Sequence, residues 1–144
     1  MTDIFASNED VRRQAEHFAT GLMSLGLVPG ARVLVAAAQQ WESVALIWAC
    51  LGLKLVPIPV SPTVTQSELD ATMASVGPAH TVLTTEAMFA LAHSTRSTFD
   101  TVPRCRPIHL TSGTTGPPKG VWSGWWTAAN AAAALEEERE LWEF

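Results

Sequence analysis

A continuous apolar run near the start of the chain most constrains what this sequence can fold into. Residues 32–37 contain no polar side chain after Arg32, and they lie between a turn at Pro29-Gly30 and the polar pair Gln39-Gln40. Such a run is typical of a strand that is covered on both faces, as in a parallel sheet. The run therefore predicts a buried parallel strand.

The segments around this run predict helices and further strands. Small polar and acidic residues at Ser7–Asp10 predict a helix start, and Gly26 a helix end. Thr65 and Glu68 have the spacing of a capping box. Pro57 and Pro59 predict irregular pairing or an edge position for the strand that holds them. The predicted order is helix 7–26 (apolar face Val11, Ala15, Phe18, Ala19, Leu22, Met23), strand 32–37, helix 41–51 (buried stripe Val44, Ala45, Trp48, Leu51), strand 55–60, helix 65–76, strand 80–84 and helix 86–92.

This alternation predicts a three-layer α/β sandwich with a largely parallel sheet. We divide the 144 residues into an alternating lobe (1–92), an exposed connection rich in Ser, Thr, Arg and Pro (93–107), a strand-loop-strand segment (108–123) and a terminal helix (124–144). The sequence contains no internal repeat.

Composition excludes several classes of protein. A hydrophobic fraction of 47% with 16% charged residues argues against disorder. The net charge of −5 provides no basic surface for nucleic acid. The apolar region 44–60 is interrupted by Lys54, Pro57 and Pro59, so no membrane span is expected, and residues 1–5 lack the pattern of a signal peptide. A cytoplasmic protein with Cys50 and Cys105 as buried reduced thiols is therefore predicted, although one disulfide remains an alternative.

The segment most suggestive of chemistry is Thr111-Ser112-Gly113-Thr114-Thr115-Gly116-Pro117-Pro118-Lys119-Gly120. Its glycines let the backbone approach a ligand closely, and successive N–H groups in such a loop suit an anion. Four hydroxyl side chains can donate hydrogen bonds, and Lys119 adds a positive charge. The order Lys-Gly differs from a Walker A loop, in which Gly-Lys is followed by Ser or Thr. The stretch predicts a phosphate-binding loop; the alternative is a surface turn with a solvated lysine.

Every position of this stretch matches the glycine-rich signature of the adenylate-forming superfamily, which includes acyl-CoA synthetases, adenylation domains of peptide synthetases and luciferases. Residues 26–33 (GLVPGARV) and 54–62 (KLVPIPVSP) also resemble stretches of that family, with Leu55 in place of a small residue. The chain therefore resembles the N-terminal part of an adenylate-forming enzyme, most closely an acyl-CoA synthetase or fatty-acid–CoA ligase.

The resemblance implies an activity and a set of site residues. It implies ATP-dependent activation of a fatty or other carboxylic acid to an acyl-adenylate and then to a coenzyme A thioester, with Mg²⁺ as the metal. Lys119 would be catalytic, because it would neutralise charge on the pyrophosphate leaving group. The implied ATP-binding residues are Thr111, Ser112, Gly113, Thr114, Thr115, Gly116 and Lys119.

Other polar clusters point to no second activity. None of His17, His80, His93 and His109 has metal-ligand spacing to another, so no protein metal site is predicted. The three tryptophans after the loop predict packing, and the acidic residues 136–143 predict a solvated helix face. Many family members have a histidine-containing segment soon after the loop lysine, whereas this chain has Ser123-Gly124-Trp125-Trp126.

Adenylate-forming enzymes are several times longer than this chain, so the isolated chain is expected to be incomplete and inactive. Two alternatives remain open. One is a non-catalytic module that binds nucleotide or phosphate, or that needs a partner chain; the other is an α/β fragment whose loop no longer binds. Exposed apolar edges would also favour self-association. The identity of the acid is not encoded in any recognisable pocket residue.

Overall fold

The computed structural model describes residues 6–36, 38–111 and 118–142, with the backbone alone at Trp142. Helices and strands alternate in the order that the sequence predicts. They are α1 (Asn8–Ser24), β1 (Arg32–Ala36), α2 (Trp41–Gly52), β2 (Val56–Val60), α3 (Gln66–Val76), β3 (His80–Val82), α4 (Thr85–Ala90), β4 (His109–Thr111), β5 (Lys119–Val121) and α5 (Ala128–Trp142).

The first three strands form one parallel sheet in the order β2-β1-β3. The chain moves from β1 to β2 in one direction and from β2 back past β1 to β3 in the other. Because parallel crossovers are right-handed, the two connecting helices must lie on opposite faces of the sheet. The packing agrees with this rule, since α2 packs on one face and α3 on the other. The predicted three-layer α/β sandwich with a parallel sheet is confirmed.

Two hydrophobic cores fill the space on the two faces. The first core lies under α1, α2 and α4, and includes the fully buried Phe18 and Leu46. The second core lies under α3 and the start of β4, and includes Ile58 and Ile108. Successive residues of β1 alternate between them: Val33 and Val35 belong to the first core and Leu34 to the second. A central strand buried on both faces explains its unbroken apolar sequence.

The helix caps follow the predicted local chemistry. The side chain of Thr65 accepts a hydrogen bond from the backbone N–H of Glu68, and the Glu68 carboxylate accepts one from the Thr65 N–H. Ser7 and Asp10 make the same reciprocal pair at the start of α1. Each box satisfies donors that a helix N-terminus otherwise leaves unpaired.

The two prolines of β2 explain its place at the edge of the sheet. The Val56 N–H donates to Ala31 O on the β1 side, so residues 57 and 59 turn their backbone groups to the outer side. Proline has no N–H, so this outer side offers carbonyl oxygens and no donors. One acceptor is used there, because the Ile108 N–H donates to Pro57 O at 3.0 Å. The prediction of irregular pairing or an edge position is confirmed by the edge position, and β2 pairs with β1 in continuous register.

Two predicted core positions are wrong. Val44 is 59% exposed and Met23 is 57% exposed. In α2 the buried side chains are Ser43, Ala45, Leu46, Ala49 and Cys50, which places Val44 on the outer side. Met23 lies in the last turn of α1 at its outer surface, one residue after the buried Leu22.

The two cysteines are free and buried, as predicted. Burial in the first core raises the pKa of the Cys50 thiol from its ordinary 9.0 to about 12, because the thiolate would lose its hydration there. Within the described ranges no helix is long and apolar enough to cross a bilayer.

Candidate phosphate-binding hairpin

The strands on either side of the glycine-rich stretch form an antiparallel pair. β4 and β5 pair in the register His109↔Val121, Leu110↔Gly120 and Thr111↔Lys119. Thr111 and Lys119 are therefore directly opposite each other at the open end of the ladder, where the chain enters and leaves the stretch. The Thr111 hydroxyl donates to the backbone carbonyl of Lys119 across this pair, at 3.3 Å.

The pair presents the type of groups that bind phosphate. Both Thr111 and Lys119 are exposed, and Lys119 makes no ion pair with any described residue. An unpaired ammonium beside a hydroxyl suits an anion with several oxygen acceptors. The predicted site residues Ser112, Gly113, Thr114, Thr115 and Gly116 lie outside the described residues, so their roles stay predictions.

The hairpin is anchored to the second core at its base. Ile108 is 3% exposed and bonds through its N–H to β2, just before β4 begins. Gly120 lies against α3: a Cβ at this position would come within 2.8 Å of Val76 Cγ1 and 2.9 Å of Ile108 Cγ2. The absence of a side chain at Gly120 therefore allows β5 to lie close to α3.

Four residues that flank the hairpin form a group that the sequence analysis missed. The Trp122 indole N–H donates to Arg106 O at 3.1 Å. The Trp126 N–H donates to Arg104 O at 2.8 Å, and Arg104 Nε donates back to Trp126 O at 2.8 Å. The sequence predicts an exposed connection for Arg104 and Arg106, whereas both are partly buried. Two arginines just before the first stem and three tryptophans just after the second are the sequence signal that could have indicated the pairing.

The Cys105 thiol lies beneath this group. It is fully buried, and burial raises its pKa, while the neighbouring Trp122 indole N–H acts in the opposite direction. Cys105 also borders an apolar cavity of about 70 Å³ between residues 103–107 and α5. A buried thiol that stays protonated is a poor nucleophile at neutral pH, so we assign Cys105 a packing role.

A second cavity opens at the carboxyl ends of the parallel strands, where ligands of open α/β sheets commonly bind. It has a volume of about 220 Å³, and its lining includes no charged side chain among the described residues. The residues that line it are Val35, Ala36, Ala38, Gln40, Pro62, Val82, Leu83, Thr84, Thr85 and Met88.

The donor set near the hairpin fits phosphate better than it fits a metal ion held by protein. No Asp or Glu occurs between Asp100 and Glu136, so the hairpin has no carboxylate of the kind that Mg²⁺ prefers. Among the residues that the structure describes, no group of three His, Cys, Asp or Glu side chains could hold a metal. His109 is exposed on β4, and the Nδ1 atom of His17 lies 2.7 Å from the backbone oxygen of His93.

The structure combines a lobe of parallel strands and helices with a hairpin that flanks a glycine-rich stretch. Comparison with known proteins identifies the family to which the chain belongs. Residues 6–106, more than half of the chain, match the family model described as AMP-binding enzyme. The chain belongs to the AMP-binding enzyme family. This match ends before the glycine-rich stretch, so it is independent of the motif from which the prediction started.

Solved structures similar to the chain come from this class. The N-terminal subdomain of Klebsiella oxytoca NpsA in complex with 3-hydroxyanthranilyl-AMSN has a TM-score of 0.68 at 19% identity, over 81% of this chain and 33% of NpsA. The O-succinylbenzoate coenzyme A synthetase MenE of Bacillus subtilis, in complex with AMP, has a TM-score of 0.69 at 17% identity, over 100% of this chain and 42% of MenE. McyG A-PCP, complexed with phenylalanyl-adenylate, has a TM-score of 0.65 at 18% identity.

These identities are low, so the similarities establish the fold and not the substrate. The chain spans about a third of the NpsA structure and less than half of MenE. No curated protein sequence matches the chain.

Proposed function

We propose that this chain supplies the phosphate-binding part of an enzyme that activates a carboxylic acid with ATP. In this reaction a carboxylate oxygen attacks the α-phosphorus of ATP, and the bond to the β-phosphate breaks to give an acyl-adenylate and pyrophosphate. The observation that carries the proposal is the cross-strand pair Thr111↔Lys119 in a chain of the AMP-binding family.

Each residue of the pair has a role in this proposal. The Lys119 ammonium neutralises negative charge that develops on the departing pyrophosphate, and preorganised charge of this kind is a large part of such catalysis. The Thr111 hydroxyl donates to Lys119 O at 3.3 Å, and in the proposal it turns from this long bond to donate to a phosphate oxygen. In this proposal, residues 112–116 also bind the phosphates of ATP.

The finer assignment is transfer of the acyl group to coenzyme A, that is, an acid–thiol ligase of the acyl-CoA synthetase type. The likeness to MenE over the whole chain supports it. Equally similar adenylation proteins, NpsA and McyG, support transfer to a carrier protein as the second candidate. An assay that supplies an acid, ATP and either coenzyme A or a carrier protein distinguishes the two candidates, because a thioester forms only with the correct acceptor. A fatty acid as substrate, Mg²⁺ as the metal and a cytoplasmic location stay predictions.

A non-catalytic alternative follows from the length of the chain relative to its structural neighbours. A segment that spans about a third of such a structure can bind nucleotide without completing the reaction, or can require a partner chain. Nucleotide binding without acid-dependent pyrophosphate exchange would favour this alternative.

Thermal stability with and without MgATP tests the binding step. A ligand bound only by the folded state adds about 2.7 kcal/mol of stability at a hundredfold excess over its dissociation constant. We expect this shift for the native chain and its loss in Lys119→Ala. Arg96→Ala is the charge-matched control, because Arg96 is exposed and lies near α1 on the other face of the sheet. Absence of a shift in the folded native chain, or equal shifts in both variants, would contradict the proposal.

A further inference from the structure

The hairpin is fixed at its base by a group of side chains that the proposed chemistry does not use. We name the group formed by Arg104, Arg106, Trp122 and Trp126 the Arg–Trp clamp. Its hydrogen bonds join the chain before β4 to the chain after β5, at Arg106 O with Trp122 and twice between Arg104 and Trp126. The clamp thus continues the antiparallel course of the two stems beyond the last ladder pair, His109↔Val121.

Arg106 connects the clamp to the last helix. Its guanidinium lies over the ring of Trp126, 5.5 Å from the ring centroid, and forms an ion pair with Glu138 of α5. Its backbone carbonyl meanwhile accepts the indole N–H of Trp122. One residue therefore joins the base of the hairpin, the segment that follows it and α5.

The inner side of the clamp rests on the second core. Trp122 packs against this core, which includes the buried Cys105 and Ile108 on the first stem. At the other end of the hairpin, Thr111 and Lys119 are exposed and joined across the ladder by the Thr111 hydroxyl. The base of the hairpin is therefore held by packing and hydrogen bonds, whereas the described pair at its other end is exposed.

We propose that the Arg–Trp clamp is a positioning device for phosphate binding, in which Trp122 and Arg106 set where Thr111 and Lys119 lie relative to the sheet. The inference rests on the proposed function. Hydrogen bonds and charge act on a phosphate only over short distances, so a small displacement of the stems weakens binding. Through the Arg106–Glu138 pair, the docking of α5 contributes to the same positioning.

The test compares Trp122→Phe with Trp125→Phe. The first variant removes the indole N–H that bonds to Arg106 and keeps an aromatic ring. Trp125 is the matched control, since it belongs to the same segment, contacts the Trp122 ring edge-on at 5.6 Å and is 47% exposed. We expect the dissociation constant for MgATP to rise about tenfold in Trp122→Phe and to change less than about twofold in Trp125→Phe. The measurement is made well below the unfolding midpoint, where loss of global stability does not alter the dissociation constant.

Amide hydrogen exchange provides a readout that does not depend on nucleotide. We expect faster exchange in Trp122→Phe across the β4–β5 ladder, His109–Thr111 and Lys119–Val121, with unchanged exchange at Leu34 in the parallel sheet. A purely structural role would instead lower the protection of both regions together.

A second pair of variants tests the link to α5 and replaces the first pair if Trp122→Phe does not fold. Glu138→Gln removes the charge that pairs with Arg106, while Glu137→Gln makes the same change at an exposed neighbour. We expect a rise in the dissociation constant of about two- to threefold for Glu138→Gln and none for Glu137→Gln.

The outcomes separate the two proposals. If the native chain binds MgATP, Lys119→Ala does not, and both members of each pair bind equally, the positioning role is overturned and the proposed function stands. If the native chain binds no MgATP, the proposed function fails, and the positioning role fails with it. This holds even if hydrogen exchange shows that the base of the hairpin is protected.

Discussion

The lobe of parallel strands and the segment that carries the candidate site differ in how they are built. In the lobe, α2 buries half of its twelve residues, and β1 is covered on both faces. In the segment after residue 107, α5 buries Ala131, and its other described side chains remain at least partly exposed. The lobe therefore provides most of the buried apolar area and hence most of the stability. The attached hairpin contributes to the second core at its base through Ile108, and it exposes the charge and hydroxyl group of Lys119 and Thr111 at the other end.

The largest expected contrast in the free energy of unfolding is between leucine-to-alanine substitutions at two positions. Leu46→Ala empties a fully buried position in the first core and should lower the free energy of unfolding by about 2–5 kcal/mol. Leu141→Ala, at a 67% exposed position of α5, should change it by less than about 0.5 kcal/mol. Denaturant titration of both variants measures the two values. Similar losses would mean that α5 is part of the cooperative core.

A smaller contrast concerns two glycines at close contacts. A Cβ at Gly21 would lie 1.9 Å from the backbone oxygen of Leu91, whereas a Cβ at Gly120 would meet only the side-chain ends of Val76 and Ile108. Gly21→Ala should therefore lower stability by about 1–3 kcal/mol, although alanine has the higher helix propensity. Gly120→Ala should cost less, because side-chain ends can shift.

The same denaturant titration tests the two glycine variants. Gln14→Ala, elsewhere on α1, controls for substitution within the helix. A Gly120→Ala variant that loses more stability than Gly21→Ala would show that the hairpin is packed more rigidly than the lobe.

The smallest expected effect is an alkaline loss of stability that differs between the two cysteines. The folded state keeps the Cys50 proton up to about pH 12, whereas an unfolded thiol releases it from about pH 9.0. The unfolded state is therefore favoured as pH rises through this window, by about 1.4 kcal/mol at pH 10. The chain has no tyrosine to titrate in the same range.

The slope of unfolding free energy against pH, from about pH 8 to pH 10.5, measures this effect. Cys50→Ala should flatten the slope, whatever it costs at neutral pH. Cys105→Ala should flatten it less, because the neighbouring Trp122 indole N–H already opposes the rise in that pKa. A slope that is unchanged in Cys50→Ala would rule out a buried protonated thiol as its cause.

Local sequence was enough to predict the elements but not all of their contacts. The capping pair Thr65–Glu68 and the edge position of the strand with Pro57 and Pro59 follow from chemistry within a few residues, and both are confirmed. In α2 nearly every residue from Val44 to Leu51 is apolar, so periodicity could not decide which side faces the sheet, and Val44 was assigned wrongly.

The candidate site was likewise predictable only in part. Its position at the glycine-rich stretch could be predicted from residue types and order, and the pairing of Thr111 with Lys119 follows once two short strands flank that stretch. The bond from Trp122 to Arg106 spans sixteen residues and depends on how the hairpin lies on the second core. No periodic pattern encodes such a contact, so the Arg–Trp clamp became visible only in three dimensions.

The prolines of β2 make the two edges of the parallel sheet different. A neighbouring strand needs donors and acceptors in alternation, and the outer side of β2 offers it acceptors alone. On its other border, β3 has β1 on one side and no strand of the described chain on the other. A strand that extends this sheet therefore has fewer backbone hydrogen bonds to make along β2 than along β3. The lack of N–H donors also protects the β2 edge from unwanted pairing with strands of other chains.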